Sequence, residues 1–143
     1  MKNIIIKLNM NLKNTWYIIN ASNKILGRIS TKISIILQGK NKIDYYSNKK
    51  SNNFVIVINS DEVILSGKKK NKKIYYKHSG YIGNLKKIYF KELIKKDSRK
   101  IIINSVKGML PKNKLYKNIL NNNLKIFKKE NNIYKINNLI NIN

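Results

Sequence analysis

The 143-residue chain is long enough for one domain with a modest core, because single domains typically contain about 100–150 residues. Its 31 Lys and Arg residues against 6 Asp and Glu residues give a formal net charge of +25, and self-repulsion of this kind indicates a polyanion such as nucleic acid as partner. The sequence contains no cysteine, which excludes disulfides and thiolate metal sites, and no apolar stretch reaches the roughly 18–20 residues of a membrane-spanning helix.

The first strand is predicted at residues 16–20 (Trp-Tyr-Ile-Ile-Asn), which are rich in aromatic and β-branched side chains. Apolar residues then recur at helical spacing from Ile25 to Leu37. Ser22 or Asn23 is the candidate N-cap of this helix, and Gly39 is its predicted end. Strand and helix together begin an α/β pattern.

The outer face of this helix carries Lys24, Arg28 and Lys32 at intervals of four. Such a basic stripe fits a phosphate backbone, but it fits an ordinary solvated face equally well. Only the positive charge of the surrounding chain favours the first interpretation.

Residues 54–59 form a continuous apolar run of strand length, as expected for a strand covered on both faces, and they complete a predicted βαβ unit. A second extended stretch at residues 62–66 turns at Gly67 into the basic run 68–73. Residues 74–76 then return as a strand. We predict a hairpin whose tip is the basic run.

The rest of the domain is predicted to contain three short helices and one strand, at residues 89–96, 98–110, 115–120 and 124–127. Ser98 is the candidate cap of the second of these helices, and Pro111 ends it. The predicted organisation is an N-terminal extension (1–15), one α/β domain (16–127) and a basic, Asn- and Lys-rich extended tail (128–143).

Catalytic chemistry has few candidate residues, since the chain has one His and no Cys. His78 adjoins Ser79, but the sequence identifies no third group that would orient the imidazole. The Gly80 to Gly83 spacing matches neither G-x-G-x-x-G nor a P-loop. We predict no catalytic residue, no metal site and no cofactor.

Tyrosines lie among the lysines, an arrangement that suits stacking on exposed bases while Lys holds phosphate, although several of them are expected in the core. These tyrosines are Tyr45, Tyr46, Tyr75, Tyr76, Tyr81, Tyr89 and Tyr116.

From Trp16 to Phe127 the sequence resembles the bacterial and organellar large-subunit ribosomal protein thirteen family, the L-thirteen family. The most specific block is a V-K-G-M-L-P segment formed by Val106, Lys107, Gly108, Met109, Leu110 and Pro111. Shorter blocks follow the order of the family, including Leu26-Gly27-Arg28, Gly39-Lys40, Ser66-Gly67-Lys68 and Tyr75 to Gly80. Departures occur at Asn84, at Tyr116-Lys117 and in the tail.

This resemblance implies a single three-layer α/β domain with a mainly parallel four-stranded sheet between helices, to which our reading adds the basic hairpin and extended termini. It implies a structural constituent of the large ribosomal subunit that binds large-subunit rRNA early in assembly, beside neighbouring ribosomal proteins. We expect no membrane contact and no homo-oligomer. The abundance of Lys, Asn and Ile indicates an AT-rich genome, so we expect the cytoplasm of a bacterium, with an organelle as the alternative.

The predicted RNA-binding residues are basic side chains of the first helix, the turn after it, the hairpin and the family motif. They are Lys24, Arg28, Lys32, Lys40, Lys42, Lys68, Lys69, Lys70, Lys72, Lys73, Lys77, His78, Lys86, Lys87, Lys107, Lys112 and Lys114. Two other functions stay open at this point. One is a nucleic-acid-binding regulator that acts off the ribosome, and the other is an RNA-modifying enzyme.

Overall fold

The computed structural model describes residues 14–43, 45–47, 51–130 and 139–142. Its strands are β1 (Thr15–Asn20), β2 (Asn53–Ile58), β3 (Ile74–His78), β4 (Leu85–Tyr89), β5 (Leu124–Ile126) and β6 (Leu139–Asn141). Its α-helices are α1 (Leu26–Gln38), α2 (Lys69–Lys72), α3 (Phe90–Met109) and α4 (Lys114–Asn118). A 3-10 turn (Ser60–Glu62) follows β2, and a π-helical turn (Ile119–Asn123) precedes β5.

The main sheet has four parallel strands in the order β5-β2-β1-β6. Strands β1 and β2 flank helix α1 in the chain, so the predicted βαβ unit is confirmed. The prediction of an α/β fold with a four-stranded parallel sheet and flanking helices is confirmed as well. Strand β6, which pairs with β1, was not predicted, because it lies inside the segment interpreted as a tail.

The core lies between one face of the sheet and helices α1 and α3, which pack against each other. Alternate strand residues point to this face because side chains alternate along a strand. The sheet contributes Tyr17, Ile19, Val55 and Val57, and the helices contribute Ile29, Ile33, Ile102 and Val106. On the opposite face, Trp16 stacks on Phe54 with 4.5 Å between ring centroids.

Helix α1 ends as predicted, at Gly39, whose φ of 78° is a left-handed conformation that glycine adopts without strain. A side chain here would also meet Ser51, whose Cβ and Oγ lie 3.1 Å from the position of an added Cβ. The predicted N-cap was wrong, because Ile25 rather than Ser22 or Asn23 occupies that position. The backbone supplies the missing partner, since Leu26 N–H donates to the carbonyl of Ile64 at 2.9 Å.

Helix α3 contains a break at Asp97, whose φ of −159° and ψ of 94° are extended rather than helical. The two predicted helices are therefore present as two segments of one continuous element. Asp97, not Ser98, occupies the position before the second segment, and its carboxylate accepts hydrogen bonds from the Arg99 guanidinium. Ser98 is instead fully buried, and its hydroxyl lies 2.7 Å from that of Ser60.

We expect Asp97→Asn to lower stability slightly at pH 7, because Arg99 Nε–H donates to Asp97 Oδ1 at 2.9 Å and holds the pKa of that carboxyl below its usual value. Asn is also a good N-cap, so the change removes mainly the charge. A depressed pKa stabilises the fold above the unfolded pKa of about 3.9, and this stabilisation disappears as pH falls through the folded pKa. Urea unfolding at stepwise lower pH should show the difference between the two proteins closing, whereas a constant difference would contradict the assignment.

The predicted hairpin had the wrong partner strand. Strand β3 pairs with β4 in an antiparallel ribbon, and residues 62–66 contribute only a bridge from Ile64 to Ile25. The basic run forms the short helix α2 instead of a hairpin tip, in keeping with the helix propensity of Lys. The true tip spans residues 79–84 and turns through two glycines, Gly80 and Gly83, with φ of 99° and 77°.

The remaining predicted elements lie close to the observed ones. Helix α4 and the π-helical turn cover the predicted helix at 115–120, and β5 covers most of the predicted strand at 124–127. Of the predicted extension at residues 1–15, only Asn14 and Thr15 are described, and residues 131–138 of the predicted tail also lie outside the described residues. None of the described helices has the length and apolarity needed to cross a membrane.

Candidate RNA interface

The predicted basic stripe of α1 lies beside a groove between the start of this helix and the end of β6. Arg28 and Lys32 are exposed and Lys24 is half-buried, and all three line the groove. The groove has a volume of about 310 Å³, and its other lining residues are Ile19, Asn23, Ile25, Ile29 and Ile142. The stripe therefore combines positive charge with an apolar recess.

Lys40 and Lys42 follow α1 in a turn that a buried asparagine holds in place. Asn53 Nδ2–H donates to the carbonyl of Ile36 at 2.7 Å and to Asn41 Oδ1 at 3.2 Å. Asn41 Nδ2–H in turn donates to Tyr17 Oη at 3.0 Å. These bonds fix the backbone from which both lysines project.

The five lysines among residues 68–73 lie in or next to α2, and all of them except Lys73 are exposed. Lys73 Nζ lies 5.3 Å from the centroid of the Tyr75 ring, a distance at which a cation–π interaction operates. Burial raises the pKa of the Tyr75 hydroxyl, which has no hydrogen-bond partner among the described residues. This tyrosine therefore belongs to the packed base of the hairpin rather than to a stacking surface.

Two further lysines near α2 were missed by the sequence analysis. Lys91 and Lys95 of α3 line a second groove of about 560 Å³ together with Lys70, Asp61 and Glu62. Their spacing of four residues on a predicted helix is the same signal that identified Arg28 and Lys32, so it was available in the sequence. The two carboxylates make this groove less electropositive than the first.

The β3–β4 hairpin carries positive charge away from the core. Its register places Lys77 directly opposite Lys86 and Tyr76 opposite Lys87. Residues 76–87 are all exposed, and the ring of Tyr81 at the tip is 81% exposed. The hairpin thus exposes lysines and aromatic rings together on one ribbon.

His78 stands at the end of β3 and is exposed. Its Nδ1 accepts a hydrogen bond from Gly80 N–H at 3.0 Å, so this nitrogen serves the turn and not the neighbouring Ser79 hydroxyl. Among the described residues, no group of three or more His, Cys, Asp or Glu side chains could hold a metal ion. His78 therefore stabilises the turn at the tip of the hairpin.

The V-K-G-M-L-P segment contains the end of α3, and it contacts α1. Val106 and Leu110 are buried in the core, and Met109 Sδ lies 3.6 Å from the Thr31 hydroxyl of α1. Lys107 and Lys112 are exposed on either side, as is Lys114 at the start of α4. The apolar residues of the motif therefore fix the backbone while its cations face outward.

Two helical glycines near these cations have space for a side chain within the described fold. Gly27 in α1 and Gly108 in α3 have ordinary helical backbones, and an added Cβ at either would meet nothing within 4 Å. Both are exposed. Both glycines were predicted only as parts of family blocks, although a glycine inside a helix costs about 0.5–1 kcal/mol relative to Ala.

A family model described as ribosomal protein L13 matches residues 14–132. The chain belongs to the ribosomal protein L13 family. Curated relatives include the large ribosomal subunit protein uL13 of Buchnera aphidicola subsp. Schizaphis graminum, 42% identical over 131 residues, which are 92% of this chain and 91% of that protein. The uL13 proteins of Wigglesworthia glossinidia brevipalpis (48% over 130 residues; 91% and 90%) and Blochmanniella pennsylvanica (50% over 104 residues; 73% and 72%) are also similar.

Membership of the L13 family confirms the resemblance seen in the sequence, and it assigns the chain to ribosomal proteins rather than to enzymes. Within the L13 fold, the predicted cations fall into separate groups. Lys24, Arg28 and Lys32 share a groove, and Lys77 and Lys86 share a register position. The other groups lie around α2, in the turn after α1 and around the family motif.

Proposed function

We propose that this protein is a structural component of the large ribosomal subunit that binds large-subunit rRNA and acts early in subunit assembly. Family membership supports the ribosomal assignment, and the basic surface supports the proposed binding of RNA. Basic side chains on several elements allow one small domain to hold several phosphate backbones that otherwise repel one another.

The observation that carries the RNA-binding proposal is the facing pair of Lys77 and Lys86. Directly opposed like charges destabilise an antiparallel ribbon, so the hairpin sequence works against the stability of the free protein. A phosphate between or beside the two ammonium groups removes this repulsion. A bound polyanion should therefore stabilise the hairpin.

The proposed partners are rRNA and neighbouring proteins of the large subunit, with one copy of this chain acting without self-association. The proposed location is the cytoplasm of a bacterium, in its ribosomes. Relatives from Buchnera, Wigglesworthia and Blochmanniella are consistent with a bacterial-type protein. Residues 16–127 are proposed as the domain that docks on RNA, extended by strand β6.

Sedimentation tests this function against the off-ribosome regulator. In a lysate of the source organism at moderate salt, the protein should travel with the large subunit and with its assembly precursors. A regulator would remain near the top of the gradient. Recovery of the protein only in particles that already hold the full set of ribosomal proteins would contradict early action while keeping the structural role.

Lys77→Glu should stabilise the free protein by ~0.2–1 kcal/mol, because it converts a like-charged cross-strand pair into an oppositely charged pair with Lys86. The same change should weaken binding to rRNA and lower the salt slope of binding by about 1 for each phosphate contact that is lost. Urea unfolding and filter binding across a salt series measure the two effects.

The matched control is Lys77→Glu/Lys86→Glu, which restores a like-charged pair of the opposite sign. It should lose the gain in stability and weaken RNA binding further. A Lys77→Glu protein that binds rRNA with unchanged affinity and salt slope would remove the hairpin from the interface.

A further inference from the structure

The groove beside α1 combines isoleucine side chains with three cations, and it differs from the groove at Lys91 and Lys95 because no acidic residue is among its described lining. Ile19 and Ile29, which are 1% and 2% exposed, line it together with Ile142, the residue that follows β6. Arg28 is exposed at the opening, and Lys24 stands beside it. The aliphatic side chains of these isoleucines offer a phosphate no hydrogen-bond donor, whereas the side chains of Arg28 and Lys24 do.

We propose that this groove takes a single unstacked nucleotide of RNA, with the base against the isoleucines and its phosphate on Arg28 and Lys24. This inference rests on the proposed RNA-binding function and deepens it. The volume of about 310 Å³ lies at the lower end of the range for small-ligand sites, so it admits one nucleotide and excludes a double helix.

The lining residues favour this occupant over a peptide or a free metabolite. Among the described lining residues none is acidic and three are basic, so charge complementarity favours an anionic ligand. A single-stranded nucleotide joins an apolar ring to a phosphate, and proteins read RNA by holding splayed bases of this kind. Asn23 lies at the groove with an amide that can donate to and accept from the edge of a base.

The experiment is methyl NMR on the full chain with isoleucine δ1 methyl groups labelled. The probes are single-stranded hexa-adenylate and an abasic oligonucleotide of the same length and charge. An inserted adenine ring should shift the methyl signals of Ile29 and Ile142 upfield, while the abasic probe should not. Ile35 and Ile103, which are exposed elsewhere on the helices, should keep their positions with both probes.

Two variants separate base insertion from phosphate binding. Ile142→Phe fills the groove and should abolish the adenylate-specific shift of Ile29, with binding of the abasic probe unchanged. Ile140→Phe, a matched change on β6 outside the groove lining, should leave the shift intact. Arg28→Gln should weaken both probes together.

Equal shifts at the groove methyls with both probes, or no shift with either, would overturn the nucleotide site. Binding of the abasic probe with the expected salt dependence would at the same time leave the proposed rRNA-binding function standing. Failure of both probes to bind would instead count against that function. The two inferences can therefore fail separately.

Discussion

Lys107→Glu/Lys112→Glu is expected to abolish incorporation of the protein into large-subunit particles. Buried Val106 and Leu110 fix the backbone beside both lysines, so each side chain starts from a defined place on the surface. Reversal of the charge replaces two attractions for phosphate with two repulsions at that place.

Sedimentation of particles from cells that express the tagged variant measures this effect. Both lysines are exposed, so the fold should survive, and a carboxylate introduced into the last turn of α3 costs only about 0.3–1 kcal/mol. Lys117→Glu/Lys128→Glu is the matched control, with the same change in net charge at exposed positions outside the predicted interface. Normal incorporation of the first variant would remove Lys107 and Lys112 from the interface.

Asn53→Ala is expected to destabilise the fold by about 3 kcal/mol, because Asn53 is fully buried and its side chain makes three hydrogen bonds, each with a net value of about 0.5–1.5 kcal/mol. The change removes the donor that the carbonyl of Ile36 and Asn41 Oδ1 now share, and the Ile36 carbonyl keeps only its bond from Gly39 N–H at 2.9 Å. It also removes the short bond from Thr15 Oγ1–H to Asn53 Oδ1, which is 2.5 Å long.

Urea unfolding gives the stability change, and amide hydrogen exchange reports the local effect. The Lys40 N–H, which donates to the carbonyl of Ile35 at 3.1 Å, should exchange faster in the variant because the turn after α1 loosens. Asn122→Ala, at an exposed position, should change stability by no more than about 0.5 kcal/mol. A loss below about 1 kcal/mol at Asn53 would mean that water replaces the amide.

Elements whose own residues carry a strong pattern were predictable. The helix from Leu26 and the strand from Asn53 follow from apolar periodicity and an unbroken apolar run. The partner of Ile74–His78 was not predictable in this way, since two stretches at similar distance in the chain were both suitable. What decides it is tertiary packing, because Tyr75 and Ile88 together pack against the core.

In the candidate interface, the individual residues were predictable and their arrangement in space was not. Composition and spacing identified Arg28 and Lys77 as candidates, because charge is a property of the residue itself. The opposition of Lys77 to Lys86 depends on a strand register that was not known, and the groove at Arg28 depends on Ile142 from a strand that was not predicted. Contacts between residues that are far apart in the chain were therefore not predictable from the sequence.

Strand β6 determines the order in which this sheet can be completed. Trp16, almost at the start of the described chain, pairs with Leu139, so this contact closes a loop that includes every other element. Contacts of such separation form slowly, and the outer edge of β1 stays open until they do. An unpaired strand edge is a template for aggregation. Folding intermediates should therefore aggregate less when Leu139–Asn141 pairs with β1 early, and more when it pairs late.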